Sequence, residues 1–87
     1  MSNESLIDFP CDFPIKIMGE NNSQFEAEII RIVRQHIPDL GEGAIRQRQS
    51  TRGKFLSITV TIRAHSQSQL DALYCDLSAC ALAKMVL

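Results

Sequence analysis

"FLSITVTIRA", residues 55–64, alternates so regularly that it decides how the rest of the chain is read. Leu56, Ile58, Val60, Ile62 and Ala64 line one face of an extended segment, and Phe55, Ser57, Thr59, Thr61 and Arg63 line the other. Strict period-two patterning with β-branched residues at its centre predicts a half-buried strand. Just before it, "TRGK" (51–54) reverses the chain. Gly53 supplies the residue that takes positive φ at no steric cost in such a hairpin turn. "AIRQRQS" (44–50) forms the other arm, with the weak apolar character of an edge strand.

Working towards the N-terminus, "DLGEG" (39–43) is a turn, and "GENNSQFEAEIIRIVRQHIP" (19–38) reads as a helix. Ser23 followed by Glu26 makes an S-x-x-E capping box. Phe25, Ile29, Ile32, Val33 and Ile37 recur at helical spacing, while Glu28, Arg31, Arg34 and Gln35 mark the wet side. Pro38 disfavours helical geometry at Ile37 and stops the helix. "FPIKIMG" (13–19) is a short strand with Phe13, Ile15 and Ile17 on one face, ended by Gly19. The stretch before it, broken by Pro10 and Pro14, reads as a lead-in tied down by Phe9 and Phe13.

Towards the C-terminus, Ser66 caps a second helix with Gln69 three residues on. Leu70, Leu73, Leu77 and Cys80 or Ala81 form its inner stripe, and "AKMVL" (83–87) is a last short strand. The predicted fold is therefore α+β and ferredoxin-like, β-α-β-β-α-β, an antiparallel sheet of four strands with both helices on one face. Residues 9–87 form a single domain behind a flexible lead-in, 1–8.

A domain of 87 residues buries roughly 60–65% of its unfolded surface, so most of its apolar residues are committed to the core and no deep pocket is expected. A net charge of −1 gives no global pull towards nucleic acid or an anionic membrane. The charge is unevenly placed, however. Eight of the ten acidic residues precede residue 43, and none falls between Glu42 and Asp71, where Arg46, Arg48, Arg52, Lys54 and Arg63 all lie. No apolar run approaches the roughly 18–20 residues of a membrane span, and "MSNESLIDFP" has no secretory pattern. With three cysteines, no even set and no CxxC pair, reduced thiols in a cytoplasmic protein are the expectation.

"FPIKIMG", "HIP", "S-x-x-GKF-x-S", "SQSQLDALYCDL" and the terminal "KMVL" together resemble the YbeD-like family of small bacterial proteins. The resemblance spans residues 9–87. It implies a ferredoxin-like fold close to the ACT regulatory domains, a regulatory role linked to lipoate metabolism, and no catalytic residues to carry over. The chain departs from the family pattern at Cys80-Ala81-Leu82-Ala83, where relatives often carry a polar or Pro-containing turn. In ACT domains the loop between first strand and first helix touches an amino-acid ligand. That makes Gly19, Glu20, Asn21 and Asn22 the candidate ligand-binding residues, with the free N–H groups of the helix start facing the same loop.

Sheets of this topology also serve RNA recognition through stacked aromatics on the central strands. Aligned at Arg52-Gly53 against the signature K/R-G-F/Y-G/A-F-V-x-F/Y, the chain offers Lys54, Leu56 and Thr59 where aromatics belong. "TRGK" likewise lacks the second glycine, the Ser/Thr and the following helix of a phosphate-binding loop. His36 and His65 have no Cys or His at ligand spacing. Cys75 and Cys80 sit about 140° apart around a helix, so neither a metal site nor a Cys–His nucleophile is expected. No cofactor and no enzyme activity are expected. The leading reading is a regulatory or adaptor module that binds a protein partner or a small metabolite, with Arg46, Arg48, Arg52, Lys54 and Arg63 as the partner or anion surface. The alternative is a nucleic-acid binder using the hairpin 46–63. The edge strand and open sheet face also suggest a homodimer.

Overall fold

In the computed structural model, residues 8–87 are described; the predicted lead-in, save Asp8, lies outside them. Four strands and two helices follow one another as β1 (Cys11–Glu20), α1 (Ser23–His36), β2 (Ile45–Gln49), β3 (Phe55–Ala64), α2 (Gln67–Ala79) and β4 (Ala83–Val86), with a 3₁₀ turn at Glu42–Ala44 leading into β2. The sheet is antiparallel throughout, in the order β2-β3-β1-β4. This is the predicted architecture.

β3 carries the core as its alternation requires: Leu56, Ile58, Val60, Ile62 and Ala64 are all buried. They pack with Ile15 and Ile17 of β1, Phe25, Ile29, Ile32 and Val33 of α1, and Leu70, Leu73 and Leu77 of α2 in one cluster. Both helices therefore cover the same sheet face. Among the described residues, no element covers the opposite face.

Three local details differ from the sequence reading. β1 starts at Cys11, two residues before the predicted strand start at Phe13, and Pro14 is paired opposite Thr61. Lys16 exchanges both main-chain hydrogen bonds with Leu87, so by the antiparallel alternation Pro14 also turns its nitrogen away from β3, towards a position beyond the end of β4. No donor is needed there, and proline is tolerated. At α1 the cap is Asn22, whose Oδ1 accepts from Phe25 N–H at 2.7 Å. Ser23 is already helical. Asn caps as well as Ser does, and the Glu26 carboxylate accepts from the Gln47 side chain instead of closing a capping box. Third, α2 stops at Ala79, and Ala83 N–H donates to Cys80 O, turning the chain without proline. Ala81 is exposed and so lies outside the inner stripe, whereas half-buried Cys80 packs against the core.

The start of α2 matches its reading closely. Ser66 Oγ accepts from Gln69 N–H at 3.1 Å, and Gln69 Oε1 accepts from His65 N–H at 2.7 Å, a reciprocal cap displaced by one residue. Gly53 adopts φ 69°, the left-handed conformation expected of the hairpin.

Candidate functional site

The two residue sets singled out from sequence meet in space. Asn21 N–H donates to Lys54 O at 3.0 Å, and Asn21 Nδ2 donates to Gly53 O at 2.8 Å. The β1–α1 loop is thus stitched to the β2–β3 hairpin by one residue. Asn22 spends its side chain on the helix cap. Gly19 is buried, and the space beside it is occupied by the chain itself. A Cβ there would lie 2.6 Å from Leu82 O and 2.7 Å from Phe25 Cε1. Glu20 is exposed and sits opposite Phe55 across the β1–β3 pair. What remains by this loop is a hollow of about 90 Å³ lined by Glu20, Asn22, Phe25, Ala81, Leu82 and Lys84. The loop side chains mostly serve the fold.

The uncovered sheet face is richer. The registers place Arg46, Thr59, Lys16 and Leu87 in one row across the four strands, and Arg48, Ser57, Met18 and Met85 in the next. Phe55 follows beside Ser57 along β3, since side chains two apart share a face. The large apolar residues most exposed among those described are Phe55 (42%), Met85 (50%) and Leu87 (60%). All of them lie on this one face. Half-buried Met18 connects Phe55 to Met85.

Cations flank that apolar strip. Lys16, Arg46 and Arg48 are exposed, and none belongs to the ion pairs found among the described residues, which are Arg31–Glu28, His36–Asp76 and Arg63–Asp12. Lys54 Nζ stands 5.8 Å from the Phe55 ring centroid, within cation–π range. Between strip and cations, Lys16, Met18, Arg48, Phe55 and Ser57 help line a hollow of about 250 Å³. Ser57 Oγ is buried there without a hydrogen-bond partner, a costly state for a hydroxyl. Sequence reasoning found Arg46 and Arg48. It missed Lys16, Met18, Met85 and Leu87, which only the register brings together.

The five basic residues of the hairpin region do not form one patch. Arg46 and Arg48 lie on the open face and Arg52 and Lys54 at the turn. Arg63 is nine residues beyond Lys54, about 30 Å along an extended strand, and it donates to Asp12 at 3.3 Å. Phe55 is the one aromatic ring on the face among the described residues, so the multi-ring stacking surface of an RNA-binding sheet is not assembled.

Elsewhere several ionisable groups have structural partners. His36 Nε2 meets Asp76 Oδ2 at 2.6 Å, clasping the end of α1 to α2. The Glu28 carboxylate, hydrogen-bonded by Arg31, is held below the ordinary value for a glutamate. Tyr74 donates to Leu87 O at 3.2 Å, and burial pushes its phenol above its ordinary value. All three cysteines are free.

The comparisons with known proteins agree with this geometry. Residues 4–87 match the family described as "Protein of unknown function (DUF493)". A UPF0250 protein of Janthinobacterium sp. is 52% identical over 84 residues, covering 97% of this chain and 92% of its own. Another, from Chromobacterium violaceum, is 46% identical with full coverage of both chains. Among solved structures, protein HP0495 from H. pylori superposes with a TM-score of 0.73 at 15% identity, covering 99% of this chain and 90% of the other. The ACT domain from GTP pyrophosphokinase of Chlorobium tepidum does so with a TM-score of 0.64 at 19% identity, covering 88% and 97%. Those two likenesses establish an ACT-like ferredoxin fold, and the sequence identities establish the kinship: the chain belongs to the DUF493 family of UPF0250 proteins, as its YbeD-like motifs implied.

Proposed function

We propose that this chain is a small non-enzymatic regulatory or adaptor module that acts by binding an acidic protein partner on its open sheet face. The observation that carries the reading is the convergence on that face of Phe55, Met85 and Leu87 with Lys16, Arg46 and Arg48. An apolar strip rimmed by cations lacking carboxylate partners suits a partner that offers apolar residues and carboxylates at matching spacing. The ACT-like fold supports the regulatory role by analogy of fold. The link to lipoate metabolism implied by the YbeD-like resemblance makes lipoate-handling proteins the first partners to test.

The experiment is affinity capture from lysate with the parent chain and with Arg48→Glu and Met85→Asp, read by mass spectrometry. Both substituted positions are exposed, so both variants should fold. The reading expects acidic proteins held by the parent and lost from each variant. Identical captures from all three chains would overturn it, as would capture of nucleic acid in place of protein.

A further inference from the structure

We propose that the free edge of β2 is a docking strand, taking an extended segment of another protein in which carboxylate and aliphatic side chains alternate, as a fifth strand of the sheet. The proposal rests on the protein-binding reading of the open face and specifies how the partner would engage it.

The main chain sets up the edge. Ser50 N–H donates to Phe55 O, so in the antiparallel alternation Ser50, Arg48 and Arg46 point their main-chain groups at β3. Gln49, Gln47 and Ile45 point theirs outward. Ile45 N–H is taken by Glu42 O. The N–H groups of Gln47 and Gln49 meet no other main-chain group among the described residues. They form the half-ladder that strand addition requires.

The two sides of this edge differ in chemistry. Towards the helices runs a groove of about 440 Å³, lined by Glu26, Ile30, Arg34, Glu42, Ile45 and Gln47, with Ile30 and Ile45 half-buried in it. Towards the open face stand Arg46 and Arg48. An added strand lies about 4.8 Å away and alternates its side chains between these two sides. Aliphatic residues facing the groove and carboxylates facing the arginines satisfy both at once.

A second copy of the chain fits worse. Consider two β2 strands paired antiparallel with both helix layers on the same side. Every register with more than a single residue of overlap sets Arg46 against Arg48, Arg46 against Arg46, or Arg48 against Arg48. Like charges directly opposite one another destabilise a pair. The arginines therefore discourage self-pairing while favouring an acidic strand.

The test is main-chain amide exchange by NMR on the full chain, using as probe a capped peptide that alternates glutamate and valine. A lysine–valine peptide is the control. We expect saturable protection of the Gln47 and Gln49 amides, at least about tenfold at saturation, with the glutamate peptide alone. Gln47→Ala, which keeps the N–H, should retain binding, and Gln47→Pro, which lacks it, should lose binding. Proline is tolerated where an edge N–H faces solvent, and the unsubstituted chain decides the question if that variant fails to fold. Equal protection by the lysine peptide, or protection confined to β4, would overturn the proposal. So would protection that rises with protein concentration alone, since the occupant would then be a second copy. If the peptide perturbs Phe55, Met85 and Leu87 while Gln47 and Gln49 exchange at their free rates, the edge proposal falls and the face reading stands. If nothing responds, the edge proposal falls, and the lysate capture judges the face by itself.

Discussion

Gly19→Ala separates two explanations of the same residue. A glycine at the end of the first strand can exist to let a ligand reach the backbone, in which case alanine would weaken binding and leave stability untouched. The structure predicts the opposite. A Cβ at Gly19 would stand 2.6 Å from Leu82 O and 2.7–2.8 Å from two atoms of the Phe25 ring. Neither neighbour can withdraw easily. Leu82 O is main chain, in the turn closed by the Ala83-to-Cys80 hydrogen bond, and Phe25 is fully buried in the core. Overpacking of this kind costs about 1–3 kcal/mol, and with both neighbours rigid the upper part of that range, about 2–3 kcal/mol, applies. For a domain of this size each kcal/mol lowers the melting temperature by about 4–8 °C, so a fall of about 10–20 °C is expected. The assay is thermal and urea unfolding followed by circular dichroism, with Gly43→Ala as control because nothing lies within 4 Å of its Cβ position. A Gly19→Ala chain melting within about 2 °C of its parent would refute the packing argument and restore the ligand explanation.

Other outcomes follow from the same structure. Asn22→Ala should cost about 1 kcal/mol as a lost cap, whereas Ser23→Ala should stay within about 0.5 kcal/mol; equal losses in urea unfolding would return the cap to Ser23. Ile58→Ala should cost about 2–5 kcal/mol and Thr59→Ala far less, and equal falls in melting temperature in a verified monomer would mean the β3 faces are misassigned. Tyr74 is the one tyrosine in the chain, so absorbance titration reports it unambiguously, and it should ionise above the ordinary value of about 10. Because burial raises the folded-state value, stability should be intact below the unfolded value and fall as pH rises from there through the folded one. A midpoint at or below that of a free tyrosine would contradict its burial. Binding to mixed RNA and DNA should be weak at physiological salt, and submicromolar binding abolished by Arg52→Glu with Lys54→Glu would overturn the protein-partner reading.

The parts of this fold that were legible in sequence share a physical reason: each is set by local chemistry. The β3 alternation, the hairpin glycine, the Ser66 cap and the Leu70, Leu73 and Leu77 stripe depend on neighbours within a few residues. The misreadings depend on distant ones. Cys11 and Asp12 fall outside the predicted first strand because only their pairing with Ala64 and Arg63, about 50 residues later, makes them part of it. Ser23 and Asn22 are equally good caps in isolation; Asn21, tied across to Gly53 and Lys54, sets which of them the chain presents to the helix. Gly19 is a ligand-binding candidate in the sequence, and only the fold shows that Phe25 and Leu82 fill the space beside it.

The candidate face was harder to read for a related reason, and the net charge concealed it further. Met18, Phe55, Met85 and Leu87 are scattered over three distant stretches of the chain, so no single window displays the strip they form. The charge of −1 likewise averages two unlike sides. Glu26, Glu28, Asp39, Glu42, Asp71 and Asp76 lie on the helices and their connections and outnumber Arg31 and Arg34 there. Among the described residues, Lys16, Arg46, Arg48 and Arg63 on the sheet face meet only Asp12 and Glu20 there, and Asp12 is already paired with Arg63. The molecule is therefore electrically two-sided. An acidic partner of the proposed kind, within about a Debye length, near 8 Å at physiological salt, would meet repulsion from the helical layer and attraction from the sheet, which would turn it towards the face where the apolar contacts are.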